Sequence, residues 1–236
     1  MIVNILYVCT GNYFSFFEDF YNSCENLFLP DCQKKYFVFT DVDTSTFKTD
    51  HNIRYIKIEK NSWPLNTLLR FSYFNIVRHE ILKSNYVFFF NANALIVKEF
   101  SSALLPTERD NYLVGVVHPG YINKPSLIYP WERRINAHCR IGYFSKGTYY
   151  QGCFSGGRTA EYIELIDDCR LNTEKDLKKN LIARVHDESY LNYFFKNKKP
   201  KSLSPLYSWP EKYGSNDDAV IIMRGKEKYE WYNSIK

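Results

Sequence analysis

Although it carries six cysteines (9, 24, 32, 139, 153 and 169), the chain has no CxxC pair and no Cys/His grouping at metal-ligand spacing. A cysteine-built metal site is therefore not expected, and the thiols fit a reduced, intracellular protein. No apolar run approaches the roughly 20 residues that a membrane span needs. The start, MIVNILYVCTG, has neither a basic leader nor a small-residue cleavage site, so it reads as a first strand and not as a signal peptide. The expectation is a cytoplasmic protein, with contact at the inner face of a bacterial membrane as an extension of it. The glycine spacing of a P-loop or a dinucleotide fingerprint is missing too, as are internal repeats, low-complexity segments and linkers. A single domain follows, and 236 residues suffice for a well-packed α/β core.

What is present in quantity is aromatic: 20 Tyr and 18 Phe, enough to fill a core and still line a sugar site, where a ring packs against the apolar face of a pyranose. The net charge of +5 is compatible with phosphate-bearing ligands or an anionic surface without requiring either. Residues 2–9 read as a buried strand, and residues 11–28 carry helical spacing at Phe16, Phe17, Phe20, Tyr21 and Cys24. KKYFVFTD and NIRYIKIE read as strands, 66–83 as one long helix, and YVFFF as the next strand. NYLVGVVHPGY predicts a strand entering a Pro-Gly turn, and YYQGCFSGGRTAEYIELIDDC a strand, a glycine turn and a helix. RVHDESYLNYFFKN opens another helix, and a basic tail closes the chain. This alternation predicts an α/β fold with a mostly parallel sheet.

Four short stretches could carry chemistry. Asn91-Ala92-Asn93 ends a buried strand; it is either an ordinary turn or a ligand contact at the open end of a sheet. In HDES (186–189), Asp187 or Ser189 could cap a helix, or two adjacent carboxylates could supply a sugar acceptor and a nucleophile or base. Gln151-Gly152-Cys153 sits in a glycine-containing segment where backbone can approach a ligand. His118-Pro119-Gly120 is a turn whose restrained histidine could face a ligand. KNKKPK (196–201) reads as solvated surface, as do Arg224, Lys226 and Lys228 near the end, although that basic tail could be a mobile clamp if phosphates bind.

In order, HPGY, WERR (131–134), YYQGCFSGG, VHDESYLNYFF and KPKSLSPLYSW closely resemble glycosyltransferase family 6, the family of the histo-blood-group A and B transferases, the α1,3-galactosyltransferases and bacterial relatives. The resemblance covers at least residues 85–210. It implies a single-domain GT-A fold, Rossmann-like, with a UDP-binding part near 1–98, an acceptor and catalytic part near 99–210 and a basic tail at 211–236. It implies retaining transfer of galactose or N-acetylgalactosamine from the UDP-sugar to a galactose-containing acceptor, an oligosaccharide or a lipid-linked glycan. Residue by residue, it implies a uracil pocket beginning at Val8, Thr10 and Tyr13, a donor arginine at Arg70, donor-sugar contacts at Asp187, Gln151, Gly152 and Cys153, and a catalytic glutamate at Glu188. His118, Trp131, His186 and Trp209 fall at acceptor positions, with Glu132 and Arg133 as supports of that wall.

The chain departs from the family's mammalian members at Asn91 and Asn93, where they carry Asp-x-Asp and hold Mn²⁺. Two amides bring no negative charge to a hard cation, so a divalent metal should bind poorly and none is expected as a cofactor. The departing diphosphate still needs positive charge, and at an effective dielectric of ~20 one ion pair at ~4 Å is worth about 4 kcal/mol. Arg70, Arg224, Lys226 and Lys228 are the expected sources. The resemblance places Gln151 and Cys153 where the family tells galactose from N-acetylgalactosamine, often with glycine at the second position in members that accept the acetamide. The bulkier Cys153 then favours galactose, Gln151 could bond an acetamide, and the donor stays open. Two other readings compete: a UDP-sugar hydrolase or a transferase of different linkage, and a nucleic-acid-binding module. Against the last, most aromatics fall on core-periodic positions and no RNA-binding signature is present.

Overall fold

A computed structural model describes residues 1–45 and 50–233. Its centre is a seven-stranded sheet formed by β1 (Ile2–Val8), β2 (Gln33–Thr40), β3 (Ile53–Lys57), β4 (Tyr86–Asn91), β6 (Leu113–Val117), β7 (Tyr150–Arg158) and β8 (Lys201–Leu203), in the order β3-β2-β1-β4-β7-β6-β8. Every neighbouring pair is parallel except those of β7, which runs antiparallel to both β4 and β6. A small second sheet joins β5 (Ala94–Ile96), β10 (Ile221–Met223) and β9 (Trp209–Pro210).

The near-continuous apolar strands follow from burial on both faces. Leu6, Phe37, Phe39, Val87 and Phe89 point into one core, against the helices α2 (Leu65–Leu68), α3 (Arg70–Ile76), α4 (Arg78–Ile81), α5 (Thr159–Leu177) and α6 (His186–Lys198). Their alternates Ile5, Tyr7, Val38, Phe88 and Phe90 point into the other, against α1 (Phe17–Leu27) and the small sheet. A short last helix, α7, covers Glu230–Asn233.

Four sequence expectations are corrected here. The helix over 66–83 is three short helices, α2 to α4, and residues 11–16 form a 3-10 turn ahead of α1. The glycine turn at Gly156-Gly157 is absent, because β7 runs through both residues. Their smallness serves packing: Gly156 lies opposite Phe88, and a Cβ there would sit 2.0 Å from that ring. Nor is the basic tail loose. Residues 221–223 are a strand paired with β5, and Arg224 bonds backbone to backbone with Asn93; the tail's last three residues lie outside the described ones. No described helix is long and apolar enough to cross a membrane.

Candidate functional site

The main pocket, about 360 Å³, opens where the carboxyl ends of β1 and β4 meet the amino end of β7. Parallel pairing aligns Val8 with Asn91, and antiparallel pairing sets Phe154 beside Phe90, so Gln151, Gly152 and Cys153 run on past the end of β4. Sheet ends of this kind are where open α/β folds bind ligands. The volume falls within the range of small-molecule sites.

One side chain ties β7 to α6. Asn192, buried, accepts the N–H of Tyr150 at 2.9 Å and donates to its carbonyl at 2.7 Å. One helical turn earlier stands Glu188, whose position follows from that clamp. Its Oε2 accepts the Gly152 N–H at 2.5 Å and its Oε1 accepts the Tyr149 hydroxyl at 2.5 Å. A Cβ on Gly152 would come within 3.2 Å of Glu188, so a larger residue here would press on that side chain. Burial pushes the Glu188 carboxyl up to about 7, against the pull of these two hydrogen bonds.

Asp187 is buried and pairs with the guanidinium of Arg70 at 2.7 Å. Burial raises its pKa, with Arg70 the main opposing influence. At the start of α6 the N-cap residue Val185 offers no side-chain cap, and Ser189 Oγ accepts the Val185 N–H. Arg70 is only 4% exposed, lies over the rings of Phe89 and Phe71, and donates to the Gly152 carbonyl at 2.6 Å. Its Nε and Nη2 have no hydrogen-bond partner among the described residues. Both of those nitrogens are buried, so what Arg70 offers the pocket wall is its positive charge, shared with Asp187. His186 opens α6 with a φ of 46°, a left-handed backbone that non-glycine residues adopt at a cost.

The two asparagines differ in place. Asn91 lines the pocket and donates to Asn93 Oδ1 at 3.1 Å, whereas Asn93 is buried and donates to the Arg224 carbonyl at 2.7 Å. Among the described residues no three His, Cys, Asp or Glu side chains converge as a metal site. The donor set at the turn is two neutral amides, one of them committed to backbone, and the nearby Asp187 is committed to Arg70. These residues do not fit the Mn²⁺ site of the Asp-x-Asp members.

Of the residues singled out from sequence, the pocket gathers Val8, Thr10, Tyr13, Arg70, Asn91, His118, Gln151, Gly152, Cys153, His186, Asp187, Glu188 and Lys226. His118 Nδ1 accepts the Gly120 N–H at 3.0 Å, leaving Nε2 to donate, and burial lowers its pKa. Gln151 donates to the Ser208 carbonyl, and Cys153 Sγ lies 2.7 Å from Ser208 Oγ. Burial pushes the Cys153 thiol up to about 12, so it stays protonated. Lys226 rests over the Tyr13 ring at 4.9 Å.

Besides Asn93, four positions lie outside the pocket lining. The Arg224 guanidinium turns to Asp19 and the Phe16 carbonyl, and Lys228 pairs with Glu211. Trp131 is 1% exposed in a small core with Tyr129, Ile141 and Tyr149, so it underlies the wall without facing the pocket. Trp209 binds the Gly214 carbonyl through its indole N–H and does not line the pocket. The sequence reading missed Trp63, Asn66, Thr67, Phe89, Ala92 and Val185 on the pocket wall, and Tyr149 behind Glu188. Asn66 and Thr67 precede Arg70 by four and three residues, so the helical period could have found them. Nothing in the sequence distinguishes Tyr149 from its neighbour Tyr150.

The description "Glycosyltransferase family 6" matches residues 1–235. The chain is 58% identical, over the whole length of both proteins, to the O-antigen biosynthesis glycosyltransferase WbnI of Escherichia coli. It is 25% identical over 230 residues to the globoside alpha-1,3-N-acetylgalactosaminyltransferase 1 of Gallus gallus, covering 94% of this chain and 66% of that one. Over 100 residues it is 34% identical to the histo-blood group ABO system transferase 2 of Rattus norvegicus, covering 42% of this chain and 30% of the relative.

Proposed function

The chain belongs to glycosyltransferase family 6 and is a glycosyltransferase, and on that premise we propose that it moves galactose or N-acetylgalactosamine from UDP to a galactose-containing glycan, α1,3, with retention and without a divalent metal. The observation that carries this reading is the Glu188 carboxylate, held by Tyr149 and Gly152 in the pocket wall beside the Asp187–Arg70 pair.

In the reaction, the bond between the anomeric carbon and the UDP β-phosphate oxygen breaks, and its electrons leave with the phosphate. The acceptor hydroxyl forms the new bond on the same face and gives its proton to the departing β-phosphate oxygen. Ionised Glu188 supplies negative charge to the oxocarbenium-like centre, either by bonding to it transiently or by electrostatic stabilisation. Asp187 accepts hydrogen bonds from donor-sugar hydroxyls, and His118 donates through Nε2 to the acceptor. The diphosphate's charge is met by Lys226 and by the positive charge of Arg70 at the pocket wall. The chicken relative, an alpha-1,3-N-acetylgalactosaminyltransferase, supports the α1,3 linkage, and the E. coli relative, an O-antigen biosynthesis glycosyltransferase, supports a glycan acceptor in O-antigen assembly.

The test is a matrix of UDP-galactose and UDP-N-acetylgalactosamine against lactose and a fucosylated acceptor, in EDTA and in Mn²⁺, with products identified by NMR. An α1,3-linked product in EDTA is expected. Transfer abolished by EDTA and restored by Mn²⁺ overturns the metal-free mechanism, and release of free sugar in place of a disaccharide bond overturns transfer.

A further inference from the structure

The connection between β6 and β7 is long, and long ordered connections in compact domains tend to carry function. Its inner face is built firmly. Arg133 donates to the carbonyls of Ser126, Ile141 and Gly142, Ser126 Oγ donates to the Ser145 carbonyl, and Trp131, Tyr129 and Ile141 pack beneath. Its outer face is apolar to an unusual degree: Phe144 is 96% exposed, Ile135 85%, Leu127 60% and Tyr143 56%. Side chains held on so well-fastened a loop and yet left in water mark a surface that is covered in use.

Charge indicates what covers it. Residues 122–146 contain five basic residues (Lys124, Arg133, Arg134, Arg140 and Lys146) and one acid, Glu132, which is buried and paired with Arg134. Arg184 and Ile182, both exposed, extend the patch from the chain just before α6. Aliphatic tips ringed by cations of one sign match a bilayer with anionic headgroups: the tips enter the acyl boundary and the cations meet phosphates. A nucleic acid would use the cations but would leave Ile135 and Leu127 without a role.

We propose that this surface docks the enzyme on an anionic lipid bilayer. A depression of about 740 Å³ lies among Leu127, Ile128, Tyr143, Ile182 and Arg184 and reaches His186, which also lines the main pocket. A glycan anchored in the bilayer would thus enter beside the catalytic carboxylate, a consequence that rests on the proposed transfer, whereas the docking itself does not. The lysine run at 196–201 is less suited, because Lys198 pairs with Glu164 and Lys201 donates to the carbonyls of Ala103 and Leu105.

Co-sedimentation with phosphatidylethanolamine–phosphatidylglycerol vesicles, compared with phosphatidylcholine vesicles, tests the proposal. The wild-type chain is expected to pellet with the anionic vesicles, and less so as salt rises. The double variant Ile135→Ser/Phe144→Ser should bind at least about tenfold more weakly, and Arg140→Gln or Lys146→Gln about fivefold each. Transfer to a soluble acceptor should be unchanged in all of them, which separates docking from catalysis and shows that the variants fold. A wild-type chain that stays in solution, variants that bind as well as it does, or a self-association without vesicles that the serine variants abolish would each overturn the proposal.

Discussion

The mouth of the pocket is built from two polar pairs that differ in what surrounds them. At the end of β4, Asn91 donates to Asn93, and Asn93 donates in turn to the backbone carbonyl of Arg224. At the start of α6, Asp187 and Glu188 are carboxylates taken out of water, one balanced by Arg70 and the other held by a hydroxyl and a backbone N–H. The neutral pair costs little to bury and fastens the carboxyl-terminal strand β10 to the sheet end. The charged pair is held against desolvation, which raises both carboxyl pKa values. Retained electrostatic cost of that kind marks chemistry, and satisfied amides mark architecture.

The largest effect expected is from Glu188→Gln, which should lower transfer about 10³-fold while calorimetry still detects UDP binding. The same variant tests the electrostatics. Glu188 is raised from 4.5 to about 7, so the folded chain holds a proton that the unfolded chain has lost between those values. Wild-type stability should therefore decline as pH rises from about 4.5 towards 7, and urea titrations of Glu188→Gln should lack that part of the slope. On the same side of the comparison, Arg70→Met leaves Asp187 buried without its cation. A loss of about 3–5 kcal/mol is expected, with part of it restored by adding Asp187→Asn.

The neutral pair should respond differently. Asn93→Asp turns a donor towards the Arg224 carbonyl into an acceptor facing an acceptor, at a cost of about 1–3 kcal/mol read as a lower Tm. If Asn91→Asp with Asn93→Asp instead yielded a stable enzyme with tight Mn²⁺ binding by electron paramagnetic resonance, the pair would be a metal site lacking only its charge, and the contrast would fail. The smallest effect belongs to Tyr149→Phe. Its hydroxyl lowers the Glu188 pKa, so removing it should move the rising limb of activity from near 7 to higher pH, with little change on the alkaline plateau.

Much of the site was legible in the chain because its parts sit at element ends, where composition changes abruptly. Asn91 breaks an apolar run, and the HDES stretch precedes an amphipathic one. What escaped notice did so for two physical reasons. Trp63 and Tyr149 reach the site only through pairings distant in sequence, with no local pattern to mark them. Arg224 and Lys228 look like free cations in the chain, but both find carboxylates, at Asp19 and Glu211, once it is folded.

By itself, the sequence determined the α/β alternation and the double burial of the strands, since period and apolar run length are local properties of the chain. It also carried the family, through five motifs in order. Only the tertiary structure decided that Gly156 and Gly157 continue a strand, that the supposed tail is a strand of a second sheet, and that Glu188 meets Tyr149 and Gly152. The first and last depend on the antiparallel register of β7 and its Asn192 clamp to α6, and the second on the pairing of β10 with β5 and β9, all contacts between residues far apart in the chain. The two asparagines lie on that boundary: their neutrality is written in the sequence, while the use of Asn93 as a fastener for β10 exists only in the fold.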